Sequence, residues 1–201
     1  FGGINYAALD KKSGCREAFI PDNDFLLEID ISAYHPTLAA QLVDFDFGEE
    51  DIHQAFADMY GVDYKKAKEL TFKQLYGGVF KEYKDLEFFK KVEKYIDDIS
   101  SKEEFICKSG YVFKTDMKKQ KLFNYILQNT ETYYNVLILE KIIHLLKNCK
   151  TNIIHYTYDS FLLDVDKDEK DIVLSVLDIF KGYNFSTKVE AGSNYNSLER
   201  I

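Results

Sequence analysis

The sequence predicts an α+β fold, an antiparallel sheet interrupted by a helical insertion, and three observations predict it. Residues 25–31 alternate apolar and acidic side chains, as a strand with one buried face does. Residues 153–165 are two β-rich runs meeting at Asp159-Ser160, which reads as a hairpin with a carboxylate at or beside its tip. Between these two regions the sequence is helix-forming, and residues 118–148 contain neither proline nor glycine. A chain of 201 residues can bury a real core as one domain, or as one domain carrying an inserted lobe.

Taken in order, the first strand carries Phe25, Leu27, Ile29 and Ile31 on one face and Glu28 and Asp30 on the other, so Asp30 points away from the apolar layer. Pro36 can open a helix that residues 37–43 continue. The acidic run 44–51 is a loop, and residues 52–60 form a short helix closed by Gly61. Asp63 is an N-cap and Gly77-Gly78 a stop, which bounds a helix over 64–76. Residues 82–102 place Phe88, Phe89, Val92, Tyr95, Ile96 and Ile99 at helical spacing, the pattern of a packing helix. Residues 110–113 suggest a short strand or turn, and 118–148 a helix long for a small domain. A helix over 168–180 and a last strand over 185–191 follow the hairpin.

Composition excludes several classes. The net charge of −8 and only two arginines, Arg16 and Arg200, argue against a broadly basic nucleic-acid binder, although a local groove remains compatible with them. Cys15, Cys107 and Cys149 are odd in number and widely spaced, which suggests neither a disulfide framework nor a zinc site and is consistent with a reducing cytoplasm. No stretch approaches a membrane span, so no membrane partner is expected. The opening Phe1-Gly2-Gly3-Ile4-Asn5, without methionine, reads as a piece of a longer protein or a processed product. Abundant lysine, isoleucine, tyrosine and asparagine are what AT-rich coding produces, which hints at a phage or an AT-rich host.

Two features carry chemistry. Lys68, Phe72 and Tyr76 recur every four residues and so form one helical stripe of a cation, a flat ring and a phenol, which suits a nucleoside triphosphate. A surface lysine with two core aromatics would leave the same pattern. Asp30 and Asp159, far apart in sequence and both on strands, suit two-metal phosphoryl transfer, because magnesium prefers carboxylate oxygen and keeps positions open for phosphate.

In sum these residues resemble the family A DNA polymerases typified by bacterial DNA polymerase I. Asp30-Ile31-Ser32 is similar to the family's Asp-Tyr-Ser, and Arg16-Glu17-Ala18-Phe19 precedes it like the family's Arg-x-Ala-Phe. Asp51-Ile52-His53 matches Asp-Ile-His, and Ala67-Lys68 with Phe72 and Tyr76-Gly77 keeps the register of the nucleotide-binding helix. Asn124, Gln128 and Thr130 resemble Asn-x-Pro-Ile-Gln-Gly-Thr, Tyr158-Asp159 stands for His-Asp, and Gly192-Ser193-Asn194-Tyr195 resembles the closing Gly-x-Asn-Trp.

The resemblance implies a palm over 1–46 and 113–201, an antiparallel sheet with helices on one face. It implies a reduced fingers lobe over 47–112, with thumb and exonuclease domain lying outside this chain. It implies a template-directed DNA polymerase using two Mg2+ ions, primer-template DNA and dNTPs, in a bacterial or phage-infected cytoplasm, with an upstream thumb in the same or a separate chain. Asp30, Asp159 and the Ile31 carbonyl would hold metal, with Lys68 catalytic beside the two aspartates. Lys68, His53, Phe72, Tyr76, Ser32 and His35 would bind nucleotide, and Asn124, Gln128, Tyr158 and Arg16 would touch DNA.

Departures are concrete. Tyr64 replaces an arginine, which leaves Lys65 or Lys66 to compensate; His35 replaces the glutamate that excludes the ribose hydroxyl; Ser160 replaces a glutamate after Asp159. Two alternatives stay open: a weakly active or inactive polymerase-like nucleic-acid-binding module, and a relative of the single-subunit RNA polymerases, whose His-Asp-Ser-Phe is similar to Tyr158-Asp159-Ser160-Phe161.

Overall fold

The computed structural model describes residues 9–48 and 50–201; the opening Phe1-Gly2-Gly3-Ile4-Asn5, and Glu49 of the acidic run, lie outside the described residues. The elements in order are β1 (Phe25–Ile31), α1 (Tyr34–Leu42), α2 (Ile52–Tyr60), α3 (Tyr64–Gly77), α4 (Glu87–Ser100), β2 (Glu104–Ile106) and β3 (Val112–Lys114). They continue with α5 (Lys119–Leu146), β4 (Asn152–Thr157), β5 (Ser160–Val165), α6 (Lys170–Lys181), β6 (Thr187–Gly192) and β7 (Glu199–Arg200). They divide into two compact units, one made of the residues up to Ser32 with Tyr134–Ile201, the other of Ala33–Tyr133.

The first unit is built on a five-stranded antiparallel sheet in the order β4-β5-β1-β6-β7. Apolar side chains pack against both of its faces. Leu27, Ile29 and Ile31 are buried on one face, where Phe161 of β5 meets Phe180 of α6 edge-on at 5.3 Å between ring centroids. The other face is the one that carries Glu28 and Asp30, and its inner end is closed by Leu26, Leu162, Tyr195 and Leu198 with Phe19 packed against them. Asp164 is buried on that face too, and it accepts the backbone N–H groups of Asp22 and Asn23, which ties the incoming segment to β5. A Cβ at Gly192 would stand 2.4 Å from the Ser197 carbonyl oxygen, so only glycine lets the chain fold back to add β7. The sequence pattern gave no sign of β7 because it pairs just two residues, Glu199 and Arg200.

The second unit is helical. Asp51 and Asp63 cap α2 and α3 through backbone N–H groups, and Gly61 closes α2 in the left-handed region at φ 65. Phe45, Phe47, Phe56, Phe88 and Phe89 pack ring against ring, each contact between 4.9 and 6.0 Å. A buried polar chain locks α2 to α3: the Gln74 amide donates to the Tyr60 hydroxyl at 3.0 Å, and that hydroxyl meets Thr71 Oγ1 at 3.1 Å. Ile99, Cys107, Leu122 and Ile126 form a further cluster over which the β2–β3 hairpin lies through Phe105 and Phe113. Burial raises the Cys107 thiol to about 11, so it packs as an apolar group. The helix expected over 82–102 is shorter, because a 3₁₀ turn at Lys81–Tyr83 precedes it and β2 begins at Glu104. Among the described residues no helix is long and apolar enough to cross a membrane.

Candidate active site

Antiparallel pairing brings the two aspartates together. Asp30 stands opposite Ser160 in the β1–β5 register and opposite Lys188 in the β1–β6 register. Directly opposed residues share a face, so Asp30, Ser160 and Lys188 stand on the sheet face that also carries Glu28. Asp159 is the residue before Ser160, and its carbonyl accepts the Ile31 N–H at 2.8 Å. The candidate metal-holding positions Asp30, Ile31 and Asp159 thus meet at neighbouring ends of adjacent strands. Asp30 is half-buried and Asp159 exposed.

Ser160 is turned inward. Its hydroxyl donates to Glu28 Oε1 at 2.6 Å, and the Tyr195 hydroxyl donates to the same oxygen at 3.1 Å. Burial, with the Glu28 carboxylate beside it, pushes the Tyr195 phenol up to about 12, so it remains a donor. Lys188 pairs with Glu190 on β6. Arg16 does not extend outward: its guanidinium lies 4.5 Å from the Tyr195 ring centroid and Nε donates to the Leu9 carbonyl. The Ser32 N–H is taken by the Ser186 carbonyl at 2.9 Å.

The hairpin loop is Tyr158-Asp159, one residue earlier than the Asp159-Ser160 tip expected from sequence, because Thr157 pairs with Ser160. Tyr158 is exposed and sits at φ 47, a region that a bulky residue rarely adopts. Asn135 of α5, 2% exposed, donates through Nδ2 to the Tyr158 carbonyl at 2.7 Å and to the Tyr156 hydroxyl at 2.8 Å.

In the second unit the helical stripe is present. Phe72 and Tyr76 of α3 lie nearly parallel, 4° apart with centroids at 6.1 Å, and His53 of α2 stands 6.2 Å from Phe72. Tyr64 continues the row, edge-on to His53 at 5.7 Å. Lys68 is exposed on the same helix and close enough to His53 to oppose its protonation. His53 is buried; desolvation first, then the Lys68 ammonium, holds its pKa below 6.5, while Asp51 pulls the other way. Its Nδ1 is buried without a hydrogen-bond partner among the described residues, an acceptor or donor left for something else.

The row ends at His35. The Tyr76 hydroxyl meets His35 Nδ1 at 2.5 Å, and His35 Nε2 meets Glu131 Oε2 at 2.9 Å. A carboxylate on Nε2 fixes the proton there, leaving Nδ1 to accept from Tyr76. Asn124 ties α5 to the end of α3 by donating to the Tyr76 carbonyl at 3.1 Å, and its Oδ1 is a second buried atom without a partner among the described residues. Gln128, one turn on, is exposed.

Three contributors escaped the sequence reading. Glu28 could have been found, since alternation puts it on the Asp30 face. Glu131 and Asn135 could not, because each lies on a long helix and its partner is fixed only by tertiary packing.

No family model matches this sequence, and no curated protein does. The fold is similar to that of the POL domain of Pol1 from M. smegmatis, solved in complex with DNA primer-template and dNTP, with a TM-score of 0.79 and 14% identity. The match takes in 98% of this chain and 45% of that one, so this chain spans less than half of the neighbour's length. At that identity the likeness establishes the fold, an α+β polymerase palm-like antiparallel sheet with helices, as the sequence predicts.

Proposed function

We propose that this chain is the palm and fingers portion of a template-directed DNA polymerase of the family A type, transferring a nucleotidyl group from a dNTP to a primer 3′-hydroxyl. One observation carries the reading: the β1–β5 pairing brings the backbone of Asp159 against that of Ile31, one residue from Asp30. The polymerase-like fold supports it.

The donor set fits magnesium. Both side chains offer hard oxygen at exposed or half-buried positions. Among the described residues no group of three or more His, Cys, Asp or Glu is arranged to hold an ion. Two carboxylates with the remaining positions left to water and phosphate are what magnesium takes at triphosphate sites. Bound there, the ions would lower the pKa of the primer hydroxyl and neutralise the charge on the leaving pyrophosphate.

The protein's own residues position and neutralise. Asp30 and Asp159 fix where the reacting phosphate can sit. Lys68 balances triphosphate charge, and His53, kept neutral by burial, offers a ring nitrogen to a phosphate oxygen. The Phe72 and Tyr76 rings give the sugar and base a flat surface. As the 3′-oxygen bonds to the α-phosphorus, the bridging bond to the β-phosphate breaks, pyrophosphate leaves and the hydroxyl proton passes to solvent. A thumb supplied by the same or another chain would add the duplex contacts that an acidic chain with two arginines lacks.

The test is primer extension by the chain with and without its upstream sequence. Asp30→Asn and Asp159→Asn should each abolish extension, a loss of about a thousandfold or more, while Tm stays near that of the unmodified protein. Extension that survives both substitutions would refute the assignment. Duplex binding without extension in every form would favour the non-catalytic module.

A further inference from the structure

We infer that Asn135 is the positioning residue for Asp159, an inference that rests on the two-carboxylate reading of the site. Two-residue hairpin loops normally place glycine, asparagine or aspartate where φ is positive. Here that place is taken by Tyr158 at φ 47, so the turn needs support from outside the hairpin. Asn135 supplies it. Its amide has two N–H donors, and both are used, one on the Tyr158 carbonyl at 2.7 Å and one on the Tyr156 hydroxyl at 2.8 Å.

The geometry around Asp159 gives those bonds a purpose. The peptide before Asp159 is anchored through the Tyr158 carbonyl by Asn135, and the peptide after it through the Asp159 carbonyl by the Ile31 N–H. Two fixed peptide planes set the Cα–Cβ direction of the residue between them. The second anchor comes from the residue next to Asp30, so the position of Asp159 is defined relative to Asp30 by the ladder and relative to α5 by Asn135. An exposed loop tip with a strained tyrosine would otherwise sample several directions, and a carboxylate pair that shares ions tolerates little of that. Tyr156 orients the amide and Tyr158 receives it; the exposed Tyr158 ring needs no role of its own in this device.

The experiment measures Mn2+ affinity by electron paramagnetic resonance, with the metal alone as probe, beside Tm and primer extension. With Asn135 intact, Asp159→Asn should remove the site; if Mn2+ binding does not depend on Asp159, the carboxylate reading itself fails. With that dependence in place, Asn135→Leu and Asn135→Ala should weaken Mn2+ binding and turnover by about tenfold to a hundredfold, with KM for dNTP little changed. Tyr156→Phe, which keeps the bond to the turn, should stay within about threefold of the unmodified protein, well short of that range.

The deciding variant is Asn135→Leu combined with Tyr158→Gly. Glycine adopts positive φ without strain, so the turn no longer needs its clamp and metal affinity should return toward the unmodified value. Recovery in the double variant supports the inference even if Asn135→Leu alone does not fold. Unchanged Mn2+ affinity in a folded Asn135 variant, or a double variant that neither folds nor regains the metal, would overturn it and leave Asn135 as a satisfied core amide.

Discussion

The carboxylate end of the sheet and the ring row of α3 are held in different ways. Asp30 and Asp159 owe their places to backbone: ladder hydrogen bonds and peptide planes, with the turn clamped at its own carbonyl by the Asn135 amide. His53, Phe72, Tyr76 and His35 owe theirs to contacts between side chains, ring on ring and hydroxyl on imidazole. Backbone-held groups suit chemistry that requires sub-ångström placement. Side-chain-held groups suit recognition, where a surface must yield to a ligand and recover.

That contrast can be tested by removing one group of the ring row, or the Lys68 cation beside it, at a time. The largest effect is expected from Lys68→Ala, which should lower kcat/KM for dNTP by about tenfold to a hundredfold and leave Tm unchanged, because an exposed cation contributes little to the fold. Steady-state primer extension checks it. Unaltered kinetics would transfer the role to Lys65 or Lys66 and would break the link between the stripe and the triphosphate.

An effect of similar size, on sugar selectivity and not on rate, should follow from His35→Gly. His35 is held between Tyr76 and Glu131, and under the proposed function it would stand beside the sugar, where the resemblance gives a glutamate. Opening that space should relax the preference for deoxynucleotides by about one to two decades, since a ribose hydroxyl left without a partner costs about 1–3 kcal/mol. Competition between ribo- and deoxynucleotides measures it. Equal use of both sugars by the unmodified enzyme would revive the RNA polymerase reading.

The smallest effect concerns pH. Burial, then Lys68, lowers the His53 pKa below 6.5, so the folded protein prefers the neutral ring. The sign follows: stability is full above the unfolded value near 6.5 and declines as pH falls below it toward the lower folded value. Tm should drop between about pH 7.5 and about pH 5.5, by less than about 4 °C, the scale of about 1 kcal/mol for a chain of this size. The drop should shrink in Lys68→Ala, which removes one cause of the shift, and vanish in His53→Phe. A Tm that rises over that interval would contradict the assignment.

Much of this was legible in the sequence because its signals are local. Alternation over 25–31 gave β1 and the outward face of Asp30, and caps and glycines bounded α2 and α3 to within a residue. What stayed hidden is tertiary. The hairpin loop is Tyr158-Asp159 because a buried amide holds Tyr158 at φ 47, a conformation that tyrosine's own preference disfavours; turn chemistry alone favoured a tip one residue later. Glu131 and Asn135 read as ordinary positions of a long helix, and β7 is too short for periodicity to reveal.

The register between β1 and β5 also bears on how the site comes into being. Its partners, such as Asp30 with Ser160, are separated by most of the chain, and closing so long a loop carries an entropic cost that local contacts do not repay. The helical unit can order from neighbours in sequence, whereas Asp30 and Asp159 come together only once β1 has paired with β5. A partly folded or truncated molecule could therefore display the ring row and still lack the pair.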